Sequence, residues 1–126
     1  MPSRKTILIV DDDPDIRDAL SQLLQDEGYD VAGAADGAAA LAYLREAAAG
    51  RGARPCLILL DLMMPGMNGW EFRAEQRRDP AIAGTPVVVI TAGGSQMKAS
   101  SIDAAGFLAK PIDIGELTRT IEAHCR

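Results

Sequence analysis

The stretch LIVDDD, residues 8–13, runs from apolar residues straight into three carboxylates, with Pro14 directly behind. Two carboxylates held about 4 Å apart repel by roughly 4 kcal/mol at an effective dielectric of 20, so a fold that gathers them needs something to offset the repulsion. Upstream of the acids, TILIV (Thr6–Val10) is continuously apolar after its threonine, as a strand covered on both faces requires. Downstream, Asp13 is placed to cap a helix, Pro14 takes its first position and Gly28 follows its end. Ile16, Ala19, Leu20, Leu23 and Leu24 fall on one face of that helix. The acids therefore sit between a buried strand and a helix start.

The same alternation continues along the chain. Further strands are expected at residues 29–34 (the weakest), 57–60, 86–90 and 106–109. Asp36 caps a second helix through the alanine-rich stretch to about Ala49, with Ala40, Leu41 and Leu44 inward, and GRGARP (residues 50–55) reads as a surface loop. Asn68 opens a third helix that ends before Asp79-Pro80, its charges forming a solvated face. Asp113 and Glu116 make a capping-box pattern for the last helix, with Ile114, Leu117 and Ile121 predicted to point at the sheet. Five strands alternating with helices, joined by right-handed crossovers, give an α/β fold: a doubly wound parallel sheet with helices on both faces.

Composition narrows the functional classes. The 126 residues are 48% hydrophobic, enough for one domain with a core and too few for a second. With 13 Lys+Arg against 18 Asp+Glu the net charge is −5, which disfavours direct nucleic-acid binding. No apolar run approaches the roughly 18 residues of a membrane span, and MPSRK leads into a strand rather than a signal peptide, so a cytoplasmic location is expected. Cys56 and Cys125 are expected to be free thiols.

In a doubly wound sheet, ligands bind beyond the carboxyl ends of the strands. At those ends stand Asp11, Asp12 and Asp13 after ILIV, Asp61 after LILL, Thr91 after VVVI and Lys110 after FLA. Such carboxylates beside a lysine suit a hard divalent cation, since Mg²⁺ takes one or two carboxylates and keeps several waters. An aspartate beside a metal is also a nucleophile towards phosphorus, and Asp61, alone at its strand end, is the best placed.

Four blocks in order, ILIVDDDPDIR, LILLDLMMPGMNGWE, VVVITA and FLAKPID, resemble the receiver domains of two-component response regulators over essentially the whole chain. The resemblance implies a five-stranded flavodoxin-like sheet of order 2-1-3-4-5, as a single receiver domain over residues 1–126 without an output domain. It implies that Asp61 accepts phosphate from a histidine kinase or phosphotransfer protein. Asp11, Asp12, Asp61 and the Met63 carbonyl would hold Mg²⁺ (or Mn²⁺), with Thr91 and Lys110 on the phosphoryl group and Pro111 a cis-peptide candidate. It also implies a switch in which Thr91 moves towards the phosphoryl group and Phe107 rotates inward, changing a surface read by a downstream protein. The chain would catalyse only its own phosphorylation and dephosphorylation. Between Thr91 and Lys110 it is about three residues shorter than a usual receiver, and GGSQMKASS is poor helix material. A short helix there, a mobile loop over residues 93–100 and a monomer or weak dimer are expected.

Simpler readings compete. Asp13 is better read as a helix cap than as a ligand, but one cap accounts for one of three acids. Thr91 alone would be a turn residue and Lys110 alone a surface charge; their joint placement overturns both. Met63, Met64, Met67, Trp70 and Phe72 read as packing residues rather than a cofactor box, and His124 as a last-turn helix residue. A haloacid-dehalogenase-type phosphohydrolase would carry D-x-D-x-[TV] where this chain has D-D-D-P-D. A flavodoxin-like FMN carrier would not place three aspartates against the flavin phosphate. A degenerate receiver serving only as a protein-binding module fits poorly with the presence of all five site residues.

Overall fold

The computed structural model describes residues 4–91, 102 and 104–125, apart from the Thr91 side chain. Its strands are β1 (Thr6–Val10), β2 (Asp30–Ala34), β3 (Pro55–Asp61), β4 (Val87–Thr91) and β5 (Gly106–Ala109). They form one parallel sheet of order β2-β1-β3-β4-β5. Among the described residues four helices connect or follow them: α1 (Pro14–Asp26), α2 (Gly37–Ala48), α3 (Gly69–Arg78) and α4 (Ile114–His124). The helix and mobile loop expected between Thr91 and Lys110 lie outside the described residues, apart from residues 102 and 104–109.

Period-two alternation divides the apolar strands between two cores. Ile7, Ile9, Leu57, Leu59, Val88, Ile90 and Leu108 face α1 and α4, meeting Leu20, Leu24, Leu117 and Ile121. Leu8, Val10, Ile58, Leu60, Val87 and Val89 face α2 and α3, meeting Leu41, Leu44 and Phe72. Burial on both faces explains why the central strands carry no polar alternation.

The helix boundaries follow local chemistry. The Asp13 side chain accepts from Asp15 N–H, Asp36 from Ala39 N–H and Asp113 from Glu116 N–H. Asn68 and Glu71 form a reciprocal capping box at the start of α3. Gly28, one residue beyond the cap of α1, adopts φ +99°, the left-handed conformation that ends helices at little cost to glycine.

Three sequence expectations are corrected. Cys56 and Cys125 are not free thiols: they form a disulfide, because the start of β3 and the end of α4 meet at the edge of the sheet opposite the acids, with Cα atoms 5.4 Å apart. Ile114 does not point at the sheet; it is 57% exposed, lying in the first turn of α4 beside the edge strand β5, whereas Leu117 and Ile121 are buried. Met63 is not a packing residue: it is 60% exposed where the chain leaves β3, while Met64 and Phe72 are buried and Met67 and Trp70 lie against the core. On α1 the predicted face holds through Leu20 and Leu24, with Ile16 and Leu23 half-buried and Ala19 exposed.

Candidate functional site

Strand parity brings the predicted residues together. Val10 pairs with Leu60, so Asp11 and Asp61 come next in register on neighbouring strands. Both share the side-chain direction of Ile9 and Leu59, and Lys110 shares that of Leu108. Two carboxylates and an ammonium from the ends of three strands thereby converge on one crevice. Lys110 Nζ stands 3.6 Å from Asp11 Oδ2 and 3.8 Å from Asp61 Oδ2. Asp11 and Asp61 are buried, while Asp12 is exposed. Thr91 is the last residue of β4, in register with Ala109; its side chain lies outside the described atoms. Phe107 is 46% exposed on β5. The Lys110–Pro111 peptide is cis.

Backbone groups hold the carboxylates in place. Asp11 Oδ1 accepts from Asp13 N–H at 2.9 Å, and Asp61 Oδ1 accepts from Met63 N–H at 3.2 Å. The β3–α3 loop folds back tightly: Gly69 N–H donates to the Leu62 carbonyl, and a Cβ at Gly69 would come within 2.7 Å of Leu62 Cα. A side chain there would push α3 away from the end of β3, beside Asp61.

The second oxygen of Asp11, Oδ2, is buried without a hydrogen-bond partner. Leaving a buried carboxylate oxygen unsatisfied costs free energy that a cation offsets. Asp11, Asp12 and Asp61 each present an oxygen within 4.8 Å of the others, so the donor set fits a hard divalent ion. The pKa of Asp61 points the same way. Burial pushes its carboxyl up, Lys110 and the Met63 N–H oppose this, and Asp11 and Asp12 push it up further.

Arg17 was not singled out in the sequence. Its Nη1 donates to the Asp11 carbonyl at 2.6 Å, across β2, with its stem passing Gly33. The available signal was a cation in the first turns of α1, against the helix dipole, which implies a tertiary partner. Arg17→Met keeps the stem and removes the clasp. Loss of a nearby positive charge alone would tighten cation binding, so positioning by Arg17 is expected to show as Mg²⁺ affinity about tenfold weaker by calorimetric titration. Tighter binding would mean that only its charge matters.

The sequence matches the response regulator receiver domain family over residues 7–122. It is 37% identical to the DNA-binding response regulator MtrA of Mycolicibacterium smegmatis over 98% of this chain and 51% of that protein. It is 38% identical to the transcriptional regulator RpaA of Synechocystis over 95% of this chain and 48% of that protein. The chain thus spans about half the length of these relatives. The chemotaxis protein CheY4 of Vibrio cholerae superposes with a TM-score of 0.82 at 33% identity, covering 97% of this chain and 99% of that one. A receiver protein from Pseudomonas putida gives a TM-score of 0.83 at 25% identity, covering 98% and 99%. With its sheet order, its crevice and its sequence in agreement, the chain belongs to the response regulator receiver domains, the phosphoryl-accepting modules of two-component signalling.

Proposed function

We propose that Asp61 is the phosphoacceptor and that a divalent cation, Mg²⁺ or Mn²⁺, is held by Asp11, Asp12, Asp61 and the Met63 carbonyl. The observation that carries this reading is the pair of buried carboxylates, Asp11 and Asp61, facing the half-buried Lys110, with Asp11 Oδ2 lacking a hydrogen-bond partner. An oxygen of Asp61 attacks the phosphorus of a donor such as a kinase phosphohistidine; the new P–O bond forms as the P–N bond breaks, and the donor nitrogen takes the departing electron pair. Lys110 Nζ is within reach of both carboxylates and neutralises charge as it spreads onto the phosphoryl oxygens. A divalent cation held by these residues would supply further positive charge to those oxygens. Thr91, the last residue of β4, is the family's hydroxyl donor to one of them. The reaction is self-phosphorylation and self-dephosphorylation, not turnover of an external substrate.

The partner that loads Asp61 is a histidine kinase or phosphotransfer protein in the cytoplasm, and the output is binding of a downstream protein by a monomer or weak dimer. Among the described residues no helix is long and apolar enough to cross a membrane. Acetyl phosphate tests the core of the reading without a kinase: with Mg²⁺ the intact mass should rise by one phosphoryl group, and with chelator it should not. Equal labelling in both would remove the metal from the mechanism.

The switch runs through Phe107. It is 46% exposed and has no hydroxyl to keep solvated, so burial alone favours its inward rotamer, by roughly 1 kcal/mol for the area still exposed. Adding the beryllofluoride mimic should shift the Phe107 aromatic NMR signals to those of a buried ring. Unchanged signals would uncouple Phe107 from the site.

A further inference from the structure

At the opposite edge of the sheet from the acids, the Cys56–Cys125 disulfide ties the first turn of chain in β3 to the cap of α4. The two sulfurs are not equivalent. Cys125 is buried, 7% exposed, whereas Cys56 is half-buried and lines a cavity of about 370 Å³ with Arg54, Pro80, Thr85 and His124. That volume is within the range of small-ligand pockets, and Arg54 and His124 give it a cationic and hydrogen-bonding wall. Cys56 Sγ also lies 3.3 Å from the Thr6 carbonyl, an acceptor within reach of its S–H once the bond is reduced.

We infer that Cys56 and Cys125 form a reversible dithiol–disulfide site, entered at Cys56 by a small anionic thiol or disulfide of the glutathione type, which locks the end of α4 to β3 when oxidised. In the forming direction the Cys56 thiolate attacks oxidised glutathione, giving a mixed disulfide and releasing one glutathione thiolate. The Cys125 thiolate then attacks the Cys56 sulfur, closing the internal bond and releasing the second glutathione. Two protein thiols lose two electrons and two protons, and one glutathione disulfide becomes two glutathiones. Reduction retraces the path, with external thiolate attacking the half-buried Cys56 sulfur and Cys125 leaving. In the cytoplasmic location proposed above, thiol buffers hold most cysteine pairs reduced, and a pair able to close is characteristically a redox-responsive one.

The experiment uses the whole chain in native buffer. Reduced wild-type protein is pulsed with iodoacetamide, and labelling at each cysteine is followed by peptide mass spectrometry; Cys56 should react about tenfold faster than Cys125. With oxidised glutathione, Cys125→Ser should accumulate one glutathione on Cys56, Cys56→Ser should resist modification, and wild type should close to the internal disulfide. Hydrogen exchange in residues 121–125 should speed up about tenfold on reduction. Faster labelling of Cys125, glutathione retained on wild type, a disulfide reducible only in denaturant, or exchange indifferent to reduction would each overturn the inference.

Discussion

Asp61→Asn is expected to abolish phosphorylation by acetyl phosphate in Mg²⁺ while leaving the fold intact. The amide nitrogen and oxygen of asparagine fill the same volume at the end of β3, and the Met63 N–H keeps an oxygen acceptor. The amide is not a nucleophile towards phosphorus, so no neighbouring group replaces it. Asp11 Oδ1 accepts from the Asp13 N–H and its Oδ2 faces Lys110 at 3.6 Å, and Asp12 is exposed. Phosphoryl label persisting in the variant at the wild-type level, with the acid stability and base lability of an acyl phosphate, would move the acceptor to one of these.

The same substitution has a thermodynamic signature. The Asp61 carboxyl is pushed up by burial and by Asp11 and Asp12 more than Lys110 and the Met63 N–H pull it down. A carboxyl whose folded pKa exceeds its unfolded one binds a proton on folding, so its contribution to stability falls as pH rises through that window. Where the Asp61 carboxyl is ionised, cation-free wild type carries the penalty and Asp61→Asn does not. The variant should melt at higher temperature than wild type in chelator, with the difference shrinking in acid and on adding Mg²⁺, which the full wild-type donor set binds more tightly.

Much of this was legible in the residues because it depends on local rules. Continuous apolar strands, Asp and Asn caps, and a glycine after α1 mark the elements, and period-two alternation carries Asp11, Asp61 and Lys110 to one edge. The exposed Met63 was not legible, because beyond the last residue of β3 alternation no longer applies and the loop geometry, fixed in part by Gly69, decides where side chains point. Ile114 obeys the helical period, yet the sheet ends at β5, and periodicity carries no information about where a sheet ends. Arg17 belongs to the same class: its partner is a carbonyl six residues away whose strand neighbour on β2 has ended. The cysteines, separated by 69 positions, have no local signature at all. Only the parallel topology, which places the start of every strand and the end of every following helix at one edge, brings them into range.

Loss of the Cys56–Cys125 bond is expected to lower stability about as much as truncating a fully buried core side chain. A cross-link between residues 69 apart removes much of the freedom of the unfolded chain, worth about 4 kcal/mol on the loop-entropy estimate, against a total of roughly 5–15 kcal/mol for a domain. Cys125→Ser, or wild type in reductant, should therefore unfold at a urea midpoint lower by roughly 2 M and melt about 10–20 °C lower. Because the effect acts on the unfolded state, the m-value should rise as the released chain exposes more surface. Phosphorylation of the folded protein should be untouched: Cys56 and Asp61 are at opposite ends of β3, about 16 Å apart at the rise of a strand. Equal midpoints for oxidised and reduced protein would show that the cross-link does not restrict the unfolded chain enough to affect stability.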